Sequence, residues 1–159
     1  MPSKSEIMRE FNRILLENTD LYHNAARTYN LPDSPFWILY SLRDCGGAMT
    51  QSELVYRLGM PKQTVNSALK GMLQDDLIAI EEGRRAKPIT LTEKGEALCR
   101  RTVDIVRAQE EESLLALSEE EQVLLIGLFD RWTQSLRKCF DSANPNEKQT
   151  TRKEGLSDL

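Results

Sequence analysis

The sequence is poor in the residues on which metal sites, disulfide frameworks and membrane spans depend. Its 159 residues include a single histidine, His23, and three scattered cysteines, Cys45, Cys99 and Cys139, with no C-x-x-C pair. An odd number of isolated thiols fits a reducing cytoplasm better than a disulfide framework, and one histidine argues against a zinc site. No run of 18 apolar residues is present, and residues 1–11 are charged and amphipathic. We therefore expect a cytoplasmic protein with neither a membrane span nor a secretory signal.

Motifs of the common enzyme classes are also missing. The chain has no P-loop, no G-x-S-x-G, no H-E-x-x-H and no G-x-G-x-x-G. A single histidine leaves few pairs of nucleophile and base, so we expect no enzymatic activity and no cofactor. The formal net charge of −4 argues at first against a nucleic-acid partner as well.

Helical periodicity dominates what is present. Apolar residues recur at steps of three, four and seven from about residue 5 to residue 30, which predicts a long amphipathic helix that ends at Pro32. Ser34 as N-cap and Pro35 as first helical residue then predict a short apolar helix over 36–42. With 40% hydrophobic and 29% charged residues, the composition is that of one globular domain.

A helix-turn-helix is predicted over residues 50–74. Thr50 and Glu53 have the spacing of a capping box, Gly59 can supply a left-handed C-cap, and Pro61 can occupy the first turn of the next helix. On that second helix the predicted core face carries Val65, Ala68, Leu69, Met72 and Leu73, and the polar face carries Lys62, Gln63, Asn66, Ser67 and Lys70. Gly71 interrupts the helix and suggests that a neighbouring backbone approaches it closely.

A change to period two predicts a β-hairpin after this helix. Ile78 and Ile80 face one way, Ile89 and Leu91 show the same spacing after a charged turn, and the connecting segment is basic at its tip. One long helix is then predicted from Glu93 to about residue 115. A second capping box, Ser118 and Glu121, opens a last amphipathic helix that carries Leu125, Leu128, Phe129, Trp132, Leu136 and Phe140 in register. The chain from residue 141 onward has no periodicity.

A hairpin directly after a helix-turn-helix predicts a winged helix, and the local charge supports a nucleic-acid role. From Arg57 to Gln74 the chain has three basic residues and no acidic ones, although acids outnumber bases by 25 to 21 overall. The acids gather around residues 110–121, so the net charge conceals a segregated distribution.

At these residues the sequence resembles the MarR family of bacterial transcription regulators. The matching stretches are 49–54 (MTQSEL), 59–66 (GMPKQTVN) and 89–95 (ITLTEKG), of which the last is the most telling. The similarity in element order extends over about residues 5–140. Two departures from the family pattern are the wing sequence at 83–87 (GRRAK), which lacks the usual aspartate, and Pro61 in place of a serine.

The fold class expected is mainly α with a small β-hairpin wing, a winged helix-turn-helix with N- and C-terminal dimerisation helices. We expect an N-terminal dimerisation helix in residues 1–34, a DNA-binding lobe in 35–95, C-terminal helices completing the dimerisation region in 96–140, and a disordered tail in 141–159. The resemblance implies a homodimer that binds a pseudo-palindromic duplex.

Side-chain chemistry distinguishes the expected DNA contacts. Gln63 and Asn66 are candidate base readers, because amides can bond adenine bidentately. Contacts to the DNA backbone position a protein on the duplex without reading its sequence. The candidates for such contacts are Thr50, Gln51, Lys62, Thr64, Ser67 and Lys70. Arg84, Arg85 and Lys87 suit the minor groove, and either arginine can be the one that enters it.

The resemblance further implies a small aromatic or anionic effector, and the candidate residues are His23, Trp37, Tyr40 and Arg43, with Tyr22 and Phe36 beside them. Cys99 and Cys139 are expected to be small core residues. A thiol-based redox sensor that uses Cys45, Cys99 or Cys139 is an alternative. A winged helix that binds another protein instead of DNA is the competing class of function.

Overall fold

The computed structural model describes residues 1–81 and 87–143. Its elements are α1 (Lys4–Thr28), α2 (Asp33–Asp44), β1 (Met49–Thr50), α3 (Gln51–Leu58), α4 (Lys62–Gln74), β2 (Ile78–Ile80), β3 (Pro88–Leu91), α5 (Glu93–Arg100), α6 (Val103–Leu114) and α7 (Glu119–Ala143). The predicted fold class, mainly helical with a small β wing after a helix-turn-helix, is confirmed. Over the described ranges no helix is long and apolar enough to cross a membrane.

The chain divides into two compact units, Met1–Glu110 and Glu111–Leu159. In the first unit α2 packs against α1, α3, α4, α5 and β3. Phe36, Ile38, Leu39 and Leu42 of this helix are at most 1% exposed. Burial of a side chain of this size contributes about 1.5–3 kcal/mol, so α2 is the apolar scaffold on which the helix-turn-helix is held.

The start of α2 differs from the sequence prediction by two residues. The helix begins at Asp33, and Pro32 occupies the N-cap position, so the expected Ser34 cap with Pro35 as first helical residue is wrong. The Pro32 carbonyl accepts a hydrogen bond from the Phe36 N–H at 3.0 Å, which closes the first turn early. Pro35 is tolerated inside this turn because the first four N–H groups of a helix have no partner within it.

The sheet is antiparallel and has the strand order β1-β3-β2. Ile78 lies opposite Leu91 and Ile80 opposite Ile89, which confirms the predicted hairpin. Sequence reasoning missed β1, where Met49 pairs with Ile89. A strand of two residues is too short to show an alternating pattern, so only the folded chain reveals it.

The single helix predicted from Glu93 to about residue 115 is wrong, because α5 ends at Arg100 and α6 starts at Val103. The buried hydroxyl of Thr102 donates a hydrogen bond to the Leu98 carbonyl at 2.7 Å. The N–H groups of residues 101 and 102 bond to carbonyls only three residues earlier. Threonine bonding back to the preceding turn in this way is a known cause of helix bending.

The glycine that allows a close approach is Gly95 and not Gly71. A Cβ built on Gly71 would have nothing within 4 Å, which contradicts the expected approach of a neighbouring backbone there. A Cβ on Gly95 would lie 2.0 Å from the carbonyl oxygen of Leu77. Gly95 therefore lets the start of α5 lie directly against the turn between α4 and β2.

In the second unit the predicted capping box is confirmed. The Ser118 N–H donates to a carboxylate oxygen of Glu121 at 2.8 Å, and the Glu121 N–H donates to the Ser118 hydroxyl at 3.3 Å. None of the residues of α7 is buried. Cys139, expected to be a small core residue, is exposed. The predicted tail begins inside α7, which extends to Ala143, and its residues 144–159 lie outside the described part of the chain.

Candidate nucleic-acid interface

Local hydrogen bonds fix the two ends of α3. The Glu53 N–H donates to the Thr50 hydroxyl at 3.2 Å, and the Glu53 carboxylate accepts from the Thr50 N–H at 2.6 Å, so the predicted capping box is confirmed. Gly59 has a φ of 60° and ends the helix as a left-handed C-cap, also as predicted. Pro61 lies at the N-cap position of α4, one residue before the first-turn position expected for it. The turn between α3 and α4 is thus short and conformationally restricted.

Two opposite faces distinguish α4. Val65, Leu69 and Met72 are buried and attach the helix to the core. Leu73, which the periodicity placed with them, is 39% exposed, because it lies at the edge of the buried stripe. The opposite side, which we call the reading face, consists of Lys62, Gln63, Thr64, Asn66, Ser67 and Lys70. All of these side chains are exposed except Asn66, and no residue of α4 carries a carboxylate.

Asn66 differs from its neighbours because it is half-buried and bonded. The amide Nε2 of Gln51, the first residue of α3, donates a hydrogen bond to Asn66 Oδ1. Gln51 is half-buried as well. The structure therefore brings together two residues to which the sequence analysis assigned separate roles, one on the DNA backbone and one on a base.

The charges around α4 are distributed unevenly. Arg57, counted in the sequence as part of the basic stretch, forms an ion pair with Asp44. Lys62 and Lys70 form no ion pair with any residue in the described ranges, so both ammonium groups are available to an anionic partner. The Thr50 hydroxyl donates its proton to the Glu53 carboxylate and accepts a hydrogen bond from the Glu53 N–H. One lone pair of this oxygen is left, but the proton is not available to a DNA phosphate.

The β2–β3 hairpin follows α4 directly. Lys87 is exposed just before β3. The other two residues expected in the wing, Arg84 and Arg85, lie outside the described residues. The hairpin is anchored by Ile78 and Ile89, which are 2% and 1% exposed, so its position relative to α4 is set by the core.

The aromatic residues expected around an effector form one cluster. The ring of Trp37 lies 5.1 Å from that of Tyr22 and 5.5 Å from that of Tyr40, measured between centroids. Phe36 is fully buried and belongs to the core. The Tyr40 hydroxyl donates a hydrogen bond to the Glu110 carboxylate at 2.7 Å. Burial and this neighbouring carboxylate together raise the pKa of Tyr40, and the same two causes raise the pKa of Tyr22 to about 12.

Arg43, expected beside an anionic effector, is engaged by acidic side chains. Its guanidinium donates to both carboxylate oxygens of Asp104, at 2.8 and 2.7 Å, and also forms an ion pair with Glu96. Two carboxylates on one guanidinium leave little positive charge for a ligand. His23 lies on the surface, with Nδ1 2.8 Å from an Asp33 carboxylate oxygen.

Sequence reasoning missed this polar connection between α2 and α6. Besides the Tyr40 and Arg43 contacts, Asp44 accepts a hydrogen bond from Arg107 at 3.2 Å. The only sequence signal is spacing, since residues 40, 43 and 44 share one side of α2, and residues 104, 107 and 110 share one side of α6. Such spacing shows that each helix has a polar side without showing which side meets which.

The cysteines differ in accessibility. Cys99 is fully buried, as predicted, and burial raises the pKa of its thiol to about 11. A thiol with such a pKa is almost entirely protonated at neutral pH and therefore unreactive. Cys45 is exposed, and its Sγ donates to the Leu42 carbonyl at 3.2 Å.

Comparison with known proteins gives a family match and many similar folds. Residues 29–87 match the model of the MarR family. No curated protein sequence matches the chain. Among solved structures, NMB1585, a MarR family regulator from Neisseria meningitidis, has a TM-score of 0.74 at 20% identity over 90% of this chain and 99% of its own.

Two further solved structures are of ligand-related regulators. BpsR from Bordetella bronchiseptica, whose DNA binding is regulated by 6-hydroxynicotinic acid, has a TM-score of 0.62 at 22% identity over 83% of this chain and 98% of its own. NadR in complex with 4-hydroxyphenylacetate has a TM-score of 0.65 at 17% identity over 83% of this chain and 97% of its own. Identities this low show a common fold, and the family match covers the helix-turn-helix and the start of the wing. Residues 29–87 therefore match the MarR family, and the chain has the winged helix-turn-helix fold of the MarR family regulators to which it is similar.

Proposed function

We propose that this protein is a cytoplasmic transcription regulator that binds duplex DNA sequence-specifically as a homodimer. The observation that carries the proposal is the reading face of α4, which is exposed, polar and free of carboxylates while the opposite face is buried. An α-helix with such a face fits the major groove, where base edges present donors and acceptors.

The proposed contacts divide into two kinds. Lys62 and Lys70, together with the hydroxyls of Thr64 and Ser67, bind the phosphate backbone and release counterions. Gln63 and Asn66 contact base edges. The wing residues Arg84, Arg85 and Lys87 are proposed to follow the adjacent minor groove, whose negative potential attracts cations.

A second copy of the chain is the proposed occupant of the apolar surface of α7. Leu125, Leu128 and Phe140, which lie in register on one side of this helix, are each 45% exposed or more in the single chain. No residue of α7 is buried, and an exposed apolar surface of this length is typical of a protein–protein interface. A twofold dimer would also present two reading faces to two half-sites.

A small aromatic molecule is the proposed effector, bound near Trp37 and Tyr40. Support comes from the aromatic cluster itself and from the regulators of the same fold that bind 4-hydroxyphenylacetate or respond to 6-hydroxynicotinic acid. What these two ligands share with the proposed effector is the aromatic ring and not the carboxyl group that both also carry, because the carboxylates of Glu110 and Asp104 disfavour an anionic group beside Tyr40 and Arg43. His23 is proposed only as a peripheral contact.

The salt dependence of duplex binding tests the central proposal. The logarithm of the association constant falls linearly with that of the salt concentration, with a slope of about 0.9 for each phosphate neutralised. Because the proposed homodimer carries two copies of each lysine, replacing Lys62 and Lys70 together by alanine removes four phosphate contacts and should reduce this slope by about 3.6. Lys4→Ala, which removes one lysine charge per chain from the exposed start of α1, is the control and should leave the slope unchanged.

Two results would contradict the proposal. An unchanged slope in the double variant would show that α4 does not face the phosphates. A wild-type chain that binds no duplex at low salt, while capturing a protein partner through α4, would instead support the protein-binding winged helix.

A further inference from the structure

The amide pair of Gln51 and Asn66 joins the first turn of α3 to the reading face. Gln51 Nε2 donates to Asn66 Oδ1, and both side chains are half-buried. The other residues of the reading face are exposed, so Asn66 is the member of that face whose amide is held by a second helix. A role for this pair in base recognition rests on the proposed function, because it requires that the reading face contact DNA.

Both partners stand on restrained backbone. Gln51 directly follows Thr50, whose capping box with Glu53 fixes the first turn of α3 through two reciprocal hydrogen bonds. Asn66 follows Val65, which is fully buried and anchors α4 to the core. The backbone that carries Gln51 is therefore held by local hydrogen bonds, and the backbone that carries Asn66 is held by core packing.

In this hydrogen bond the Asn66 amide has one of its two possible orientations. An asparagine amide has an acceptor oxygen and a donor nitrogen that exchange places when the group rotates by half a turn. With Oδ1 accepting from Gln51, Nδ2 is the end left for a base. Guanine, adenine and thymine offer acceptors in the major groove, whereas cytosine offers only its N4 donor.

We propose that Gln51 is a positioning residue for Asn66, which presents Nδ2 to the base edge and thereby discriminates against cytosine at the base that it contacts. Gln51 thus acts on specificity through another residue, in contrast to the simple backbone contact expected from the sequence.

The test compares base preference in full-length variants. A binding site is first selected from random duplexes with the wild-type chain, and the position contacted by Asn66 is located as the one whose preference Asn66→Ala relaxes. Affinities are then measured for the four bases at that position. The wild type should bind the duplex with cytosine at that position roughly three- to tenfold more weakly than the duplex with the preferred base, a difference in affinity that corresponds to about one hydrogen bond.

Two substitutions of Gln51 should change that ratio in different ways. Gln51→Ala frees the Asn66 amide to rotate, so discrimination against cytosine should fall to near one. Gln51→Glu offers only acceptors, so it should bind Nδ2, turn Oδ1 toward the base and reverse the ratio in favour of cytosine. In the Gln51→Ala and Asn66→Ala double variant, discrimination should be no lower than in Asn66→Ala alone.

Gln63→Ala is the matched control, since Gln63 is exposed and has no side-chain hydrogen bond within the described residues. Its effect should add to that of Gln51→Ala. Equal weakening of all four duplexes by Gln51→Ala, or additivity of Gln51→Ala with Asn66→Ala, would overturn the inference and make Gln51 a backbone contact. A wild-type chain that selects no motif would overturn the proposed function itself.

Discussion

Gly95→Ala tests whether α5 is held directly against the turn that precedes the hairpin. Helix propensity alone predicts that alanine stabilises α5 by about 1 kcal/mol relative to glycine. The structure predicts the opposite sign. The new Cβ would lie 2.0 Å from the Leu77 oxygen and 3.3 Å from a side-chain carbon of Leu91.

The magnitude depends on the displacement required. A Cβ contact below 3.0 Å is essentially never observed, so α5 and the Leu77 carbonyl must separate by about 1 Å. The same carbonyl accepts a hydrogen bond from the Thr92 N–H at 3.1 Å, which that separation would break. Overpacking costs about 1–3 kcal/mol and the lost hydrogen bond about 1 kcal/mol, against the helix gain of about 1 kcal/mol. We expect a net destabilisation of about 1–3 kcal/mol.

Urea denaturation followed by circular dichroism measures this difference, with protein concentration held constant because an oligomer's stability depends on it. Gly71→Ala is the matched control. It also lies inside a helix, but its Cβ would meet nothing within 4 Å, so we expect stabilisation of about 0.5–1 kcal/mol. If Gly95→Ala were as stable as Gly71→Ala, the close approach of α5 to Leu77 would be refuted.

Three further predictions concern single side chains. Asp76 has a φ of 55°, a left-handed conformation that glycine adopts more easily than aspartate. Asp76→Gly should therefore stabilise the fold by roughly 0.5–1 kcal/mol in thermal or urea unfolding, whereas Asp75→Gly, at a residue with a negative φ, should not. Equal effects of the two substitutions would refute backbone strain at Asp76. The hydrogen bond from the Arg43 guanidinium lowers the pKa of Asp104 in the folded protein. The ionised Asp104 therefore stabilises the fold at pH values above the ordinary carboxyl pKa, and this stabilisation is lost as the pH falls through the lowered pKa of the folded state. Asp104→Asn should accordingly cost about 1 kcal/mol near neutrality and progressively less in acid, and a pH-independent difference would contradict this. Cys45 should be alkylated rapidly in the native protein and Cys99 only as fast as the chain unfolds, as measured by mass spectrometry; equal rates would contradict the burial of Cys99.

The helix-turn-helix was predictable because its signals are local. A capping box joins residues three positions apart, as at Thr50 and Glu53, and a left-handed C-cap needs only a glycine at the right place, as at Gly59. The buried and exposed faces of α4 are set by helical periodicity. The error at the start of α2 arose because Pro32 was interpreted only as the end of the preceding helix, whereas its carbonyl accepts the hydrogen bond that closes the first turn of α2.

The break between α5 and α6 illustrates where periodicity fails. The apolar spacing continues through residues 98–106, so the pattern favours one helix. Thr102 instead turns its hydroxyl onto the Leu98 carbonyl and is buried there. A threonine can make this bond or face solvent, and the sequence does not distinguish the two.

By itself, then, the sequence determined the order of the elements, the helix caps, the two faces of α4 and the family resemblance, because all of these depend on residues close together in the chain or on a recognisable motif. Only the tertiary structure decided which partners distant residues acquired. Arg43 meets Asp104 across 61 residues, Gln51 meets Asn66 across 15, and Gly95 meets the carbonyl of Leu77. Such contacts depend on how whole helices pack, and packing is set by the shape of the assembled core and not by any local pattern.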